Sequence, residues 1–283
     1  MMKEKPMYKV IDMHAHIFPD KIAERAVESI GKYYNIRMSG PGTVDGLLEA
    51  GSKIGVSKYV VHSSATHVEQ VMTINDYVFS VQSSHNNLIG FGTLHPGLED
   101  VDLEVERIIS LGLHGIKLHP EFQGFNIDDT AMLPVYKAIE GKLPVLIHMG
   151  DENKDSSSPA RLAVILDKFP ELIVIAAHFG GYSMWDESSK YLIGRNLYMD
   201  TSSALSFLNP EKAVEMIRRH GVHKMLFGSD YPMWDHEEEL ERFLKLDLTE
   251  DERRAILFEN AQRFLSKTLS TKIIVRDRVT SYP

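Results

Sequence analysis

KVIDMHAH, residues 9–16, opens as an apolar run and closes on side chains that bind metals. A β-strand has a side-chain period of two. A regular strand here sends Asp12, His14 and His16 to one face and Ile11, Met13 and Ala15 to the other. Two imidazoles on one face at a strand end can chelate a divalent ion without distorting the backbone. Seven further apolar runs follow, mostly at spacings of about 25–30 residues, the length of one strand-plus-helix unit. They are KYVVHSS, LIGFGTLHP, GIKLHP, PVLIHMG, LIVIAAHFGG, LYMDTSS and KMLFGSDYP. Most are near-continuous in Val, Ile and Leu, as strands covered on both faces of a parallel sheet are.

Helical patterns lie between them. In Ala160–Phe169, Leu162, Ile165, Leu166 and Phe169 form one apolar stripe, stopped by Pro170. Pro210 stands near the start of a helix Glu211–His220, where proline is tolerated. Thr249 and Glu252 have the spacing of a capping box opening the last helix, in which Ile256, Leu257 and Phe264 can pack inward. Eight such units predict an α/β fold, a (β/α)8 TIM-like barrel with its site at the C-terminal ends of the strands. A doubly wound sheet would carry a Gly-rich phosphate turn after its first strand, and HIFPDK stands there instead. No linker interrupts the chain. Residues 1–270 are expected to form one domain, with 271–283 a C-terminal tail.

In a closed barrel the strand tips converge on one mouth. His14 and His16 end the first strand, Lys117 and His119 the fourth, His148 the fifth, His178 the sixth and Asp230 the eighth. One strand-end histidine among 13 carries little weight, because a hydrogen-bonded structural role is commoner. Lys117 alone would be a barrel-filling residue, and Asp230 alone a cap before Tyr231-Pro232. The joint pattern, HxH followed by His, His and Asp at later tips, predicts a metal site. The chain has no cysteine, so imidazole and carboxylate must hold the ion.

Hydrophobic residues make up 43% of the chain, enough for a sizeable core, and the net charge is −9 without a basic block. Nucleic acid and anionic membranes are therefore excluded as partners, which leaves a small-molecule substrate. The start, MMKEKPMYKV, lacks the apolar core of a signal peptide, and no run is long enough to span a bilayer. A cytoplasmic protein is the expectation.

The segments IDMHAH, GIKLHP, AAHFGG, LYMDTS, FGSDYP and ENAQRFL resemble motifs of the amidohydrolase superfamily. They are most similar to the branch that includes aminocarboxymuconate-semialdehyde decarboxylase and related metal-dependent hydrolases. The resemblance runs from Tyr8 to Leu265. It implies His14, His16, His148 and Asp230 as ligands of one divalent ion, Zn²⁺ first, with Mn²⁺ or Fe²⁺ as alternatives. It implies catalytic roles for Asp230, His178 and Lys117. Asp12, one pleat deeper, would orient His14 or Asp230 from behind. In binuclear relatives a carboxylated lysine at the Lys117 position bridges two ions, and His148 and His178 hold the second. One ion is the expectation and two the alternative.

The implied activity is hydrolysis of a small amide, ester or lactone by a metal-activated water. The same ligands suit non-oxidative decarboxylation of a small acidic or aromatic substrate. A non-catalytic metal-binding protein is a third reading, and a ligand set gathered at a barrel mouth speaks against it. For substrate contacts the resemblance and the loops suggest His119, Arg37, Trp185 and Trp234. Arg37 lies in the long stretch Ile17–Val44, a lid candidate, where a solvent-facing position is equally open. The tryptophans would wall a substrate or anchor an interface, and relatives suggest a homodimer.

Overall fold

The computed structural model describes residues 8–267, so the expected tail 271–283 lies outside the described residues. Eight parallel strands follow one another in chain order: β1 Val10–His16, β2 Val56–His62, β3 Leu88–Thr93, β4 Gly115–Leu118, β5 Val145–Ile147, β6 Val174–Ala176, β7 Tyr198–Asp200 and β8 Met225–Leu226. Each coincides with one of the eight apolar runs. The ring closes where the segment after β8 meets β1. Met13 N donates to Phe227 O (2.9 Å), Asp230 N to His14 O (2.8 Å) and His16 N to Tyr231 O (2.7 Å). The architecture is a (β/α)8 TIM barrel with helices between successive strands.

The expected helices form close to their signals. Pro159–Lys168 buries Leu162 and Ile165, and Pro210–His220 starts on its proline behind an Asn209 cap. The Thr249/Glu252 box makes both of its hydrogen bonds, and Ile256, Leu257 and Phe264 are buried beyond it. Much of the lid stretch Ile17–Val44 is helical: α1 spans Asp20–Tyr34 and ends on Asn35 in the left-handed region. Its Ala26, Ile30 and Tyr34, spaced at four residues, share one face and overhang the mouth. No helix among the described residues is long and apolar enough to cross a membrane.

One expectation about β1 is corrected. Its pairing with β2 slips between Asp12 and Ala15, a β-bulge that breaks the period of two. Ile11 and Met13 therefore join Val60, Phe91, Leu146, Ile175 and Leu226 in one apolar cluster. Residues drawn from strands all round a ring can meet only inside it. Ala15 instead packs outward with Leu47 of the helix Val44–Ser52 and with Tyr59. Asp12 does not share the face of His14 and His16; it reaches His236 on the helix His236–Leu244.

Candidate metal centre

Above the apolar cluster the interior turns polar within one or two residues on every contributing strand. His14 Nε2, His16 Nε2 and Asp230 Oδ1 form a triangle with all three edges 3.3 Å. Tetrahedral zinc with bonds of about 2.0–2.1 Å holds neighbouring donor atoms about 3.3 Å apart. The triangle has the spacing of one face of such a shell.

The hydrogen-bond partners fix which ring nitrogens carry protons. His14 Nδ1 is 2.9 Å from Asp200 Oδ2, an acceptor only, so Nδ1 donates and Nε2 keeps its lone pair. His178 Nδ1 donates to Ser202 O (2.9 Å), which leaves Nε2 unprotonated. His148 Nε2 donates to Gly150 O (2.9 Å), which leaves Nδ1 unprotonated. His178 Nε2 and His148 Nδ1 then stand 3.0 Å apart, two lone pairs with no proton between them. Only a cation or an added proton satisfies such a pair. The His14 and His178 rings are 5.1 Å apart between centroids, so triangle and pair adjoin. The donor set fits a divalent metal ion.

Electrostatics agree. Burial pushes the His16 and His178 imidazoles down to about 4, against a smaller upward pull from Asp230, so both are neutral near pH 7. Burial works to raise the Asp230 carboxyl, but the imidazoles of His14, His16 and His178 outweigh it and hold it well below the usual carboxylate range. Lys117 is fully buried, with Nζ 2.9 Å from His14 Nε2. Burial lowers its ammonium to about 8, opposed by Asp230 and Asp200.

Backbone geometry aims these groups. His178 leaves β6 at φ 59° and Asp230 follows β8 at φ 59°, in the left-handed region that non-glycine residues rarely adopt. Gly228 allows the turn to approach β1, since a Cβ there would sit 2.9 Å from His14 Cβ. Asp12 grips the same junction from outside the barrel. Its Oδ1 accepts from His14 N and Ser229 N (both 3.0 Å), and its Oδ2 from Ser229 Oγ (2.6 Å). It thus holds the backbones at His14 and Ser229, next to Asp230, rather than the His14 or Asp230 side chain.

The other expected residues divide. His119 joins the site: it stacks on His148 with centroids 4.0 Å apart, and its Nε2 is 3.2 Å from the Tyr34 hydroxyl. Arg37 is exposed and borders a separate surface groove, not the mouth cavity. The tryptophans stand behind the site and are not among the residues lining it. Trp185 Nε1 donates to His178 O (3.1 Å), and Trp234 Nε1 to Ser203 Oγ (2.9 Å), which itself donates to Asp230 Oδ2 (2.5 Å).

Three residues outside the candidate set also take part. Asp200 at the end of β7 fixes the His14 tautomer and also accepts from His178 N (3.0 Å). It follows an apolar run as the other tips do, which was its available signal. His62 at the end of β2 is fully buried, edge-on to His16 at 4.4 Å, and neither ring nitrogen has a hydrogen-bond partner among the described residues. Glu121 is buried behind His119 and His148, and burial pushes its carboxyl up to about 7. The mouth itself is a cavity of about 260 Å³, floored by His16, His148, His178 and Asp230 and walled by Phe18, Ile30, Met38, Phe122, Tyr182 and Met233.

A family model described as Amidohydrolase matches residues 11–267. A curated 2-amino-3-carboxymuconate-6-semialdehyde decarboxylase from Dictyostelium discoideum is 25% identical over 204 residues, 56% of this chain and 55% of that protein. The chain thus spans about half the length of that relative. Among solved structures, an uncharacterized TIM-barrel protein from Bordetella bronchiseptica superposes with a TM-score of 0.74 at 20% identity, over 92% of this chain and 99% of that one. A dihydroxybenzoic acid decarboxylase from Polaromonas sp. JS666, with bound manganese and the inhibitor 2-nitroresorcinol, gives 0.70 at 17%, over 92% and 97%. At these identities the two structures speak for the fold.

Proposed function

The chain belongs to the amidohydrolase family, and from that premise we propose that it is a metal-dependent decarboxylase of a compact aromatic or unsaturated acid. One observation carries the reading: a mainly apolar cavity with aromatic walls at Phe18, Phe122 and Tyr182 opens directly onto a cation-sized cluster of imidazole and carboxylate. A carboxylate loses its charge as it leaves as CO₂, so apolar surroundings favour the product side. The decarboxylase relatives support the same reading. Hydrolysis, the leading reading of the sequence, is the second. It is supported by Asp230, a carboxylate kept ionised at the cavity floor.

His14, His16, His148 and Asp230 would hold one ion, zinc in the first instance, with manganese the alternative. Such an ion supplies Lewis acidity toward a substrate oxygen. The chain's own residues do the rest. Ser203 donates to Asp230 Oδ2, which sets Oδ1 toward the His14 and His16 nitrogens, and the carboxylate at the cavity floor takes a proton from a substrate hydroxyl. The bond to the carboxylate carbon breaks, and its electron pair stays on the ring or vinylic carbon. The proton held by Asp230 passes to that carbon. His178, locked by Ser202, orients the substrate, and buried Lys117 adds positive charge beneath it.

The test is a panel of hydroxybenzoates and muconate-like acids, with esters and lactones alongside, offered to zinc- and manganese-loaded protein. CO₂ release is the expected result. Turnover of an ester or lactone without CO₂ release from any acid overturns decarboxylation in favour of hydrolysis. Metal analysis decides the stoichiometry: one equivalent per chain agrees with the single ion, and two assign Lys117, His148 and His178 to a second.

A further inference from the structure

The cavity is charged at one end only. No lysine or arginine is among the described residues that line it. Lys117 lies beneath the floor against His14, with no exposure to the cavity. The rest of the wall is apolar, through Phe18, Ile30, Met38 and Met233, or hydroxylic, through Ser29 and Ser64, with the neutral ring of His119 beside the floor. The Ser64 hydroxyl is shielded from solvent and has no hydrogen-bond partner among the described residues.

Behind the wall on the side of β4 and β5 stand two carboxyl groups, Glu121 and Asp151. Glu121 Oε2 has no hydrogen bond among the described residues and lies 3.5 Å from His119 Nδ1 and 4.0 Å from His148 Nε2. Asp151 is 5% exposed and accepts from the Tyr33 hydroxyl at the end of α1 (3.0 Å). A carboxylate placed away from the floor would meet no lysine or arginine in the described lining and would have the Asp151 carboxylate behind the wall. Burying an uncompensated charge is among the costliest events in binding. Size points the same way. A cavity of roughly 150 Å³ accommodates benzene, so about 260 Å³ holds one substituted ring.

We infer that the substrate is a single-ring or similarly compact monocarboxylate. Its one carboxylate faces the metal floor, its far side is apolar or hydroxylated, and dicarboxylates are rejected. This rests on the metal-floored cavity of the proposed function. It departs from what the name of the Dictyostelium relative describes, since that substrate carries a further carboxyl group in addition to its muconate skeleton.

The experiment measures binding and turnover separately on zinc-loaded protein. Salicylate and its 5-carboxy derivative, 4-hydroxyisophthalate, are titrated by calorimetry, and CO₂ is assayed in parallel. Salicylate is expected to bind at least about ten-fold more tightly, because the second carboxylate finds no partner. In Ile30→Arg, which adds a cation to the wall from α1, 4-hydroxyisophthalate is expected to gain about ten-fold relative to salicylate. Equal or tighter binding of the diacid to the unaltered protein overturns the inference, and so does failure of salicylate to bind. Preferred binding of salicylate without CO₂ release from any acid leaves the monocarboxylate inference standing and removes decarboxylation.

Discussion

The barrel interior has two storeys made by the same strands. The lower is apolar, with Ile11, Met13, Val60, Phe91, Leu146, Ile175 and Leu226, and Phe264 of the last helix packs against it. The upper is imidazole and carboxylate: His14, His16, His62, His148, His178 and Asp230, all but His16 less than a tenth exposed. Met13 and His14 are neighbours in sequence, and Leu146 and His148 are two residues apart. The lower storey is satisfied by its own packing. The upper contains lone pairs facing lone pairs, and two buried His62 nitrogens without partners. One storey stabilises the fold; the other is completed by what it binds.

Four perturbations test that division. Asp230→Asn, or chelation of the metal, is expected to lower kcat by roughly 10²–10⁴-fold while circular dichroism stays native. Added zinc or manganese should rescue the chelated protein but not the variant. Full activity after exhaustive chelation, with metal content verified, would remove the metal from the mechanism. Phe91→Ala should cost about 3–5 kcal/mol in urea unfolding and leave kcat of the folded enzyme nearly unchanged. Asp200→Asn sits between the storeys in effect: releasing the His14 tautomer should weaken metal affinity by roughly 10–100-fold, read by competition with a chromogenic chelator. Trp185→Phe, which frees only the carbonyl of His178, should cost about 1 kcal/mol and a few-fold in kcat.

pH separates the storeys in a different way. His16 and His178 titrate near 4 in the fold, because burial disfavours their charged forms, and near 6.5 in the unfolded chain. Between those values the unfolded chain binds protons that the native one refuses. The contribution of these two histidines to the stability of the metal-free protein should therefore be complete above pH 6.5 and be lost as pH drops toward 4. Phe91→Leu should lower the whole curve without changing that slope, and His16→Asn should flatten it. An unchanged slope in His16→Asn would show that the imidazole is not held neutral by the mouth.

The polar tips were legible because parallel strands buried on both faces leave few places for polar residues, and a barrel gathers those places at one end. His14, His16, His119, His148, His178 and Asp230 were readable on that ground. Arg37, Trp185 and Trp234 lie in loops, where no periodicity says which way a side chain turns. The structure puts Arg37 in solvent and uses the indoles as hydrogen-bond donors behind the site. Asp12 failed for another reason: strand alternation assumes an unbroken register, and the bulge after it reverses the phase.

The sequence by itself determined the eight-fold β/α repeat, the end of the barrel that carries chemistry and the residue types available to hold a metal. These follow from periodicity and composition, which are local. Only the tertiary structure decided which ring nitrogens are free, that Asp200 orients His14, and that the wall above the floor carries no ammonium or guanidinium among the described residues. Those depend on atoms from different strands and helices meeting within hydrogen-bond distance, a relation between segments far apart in the chain.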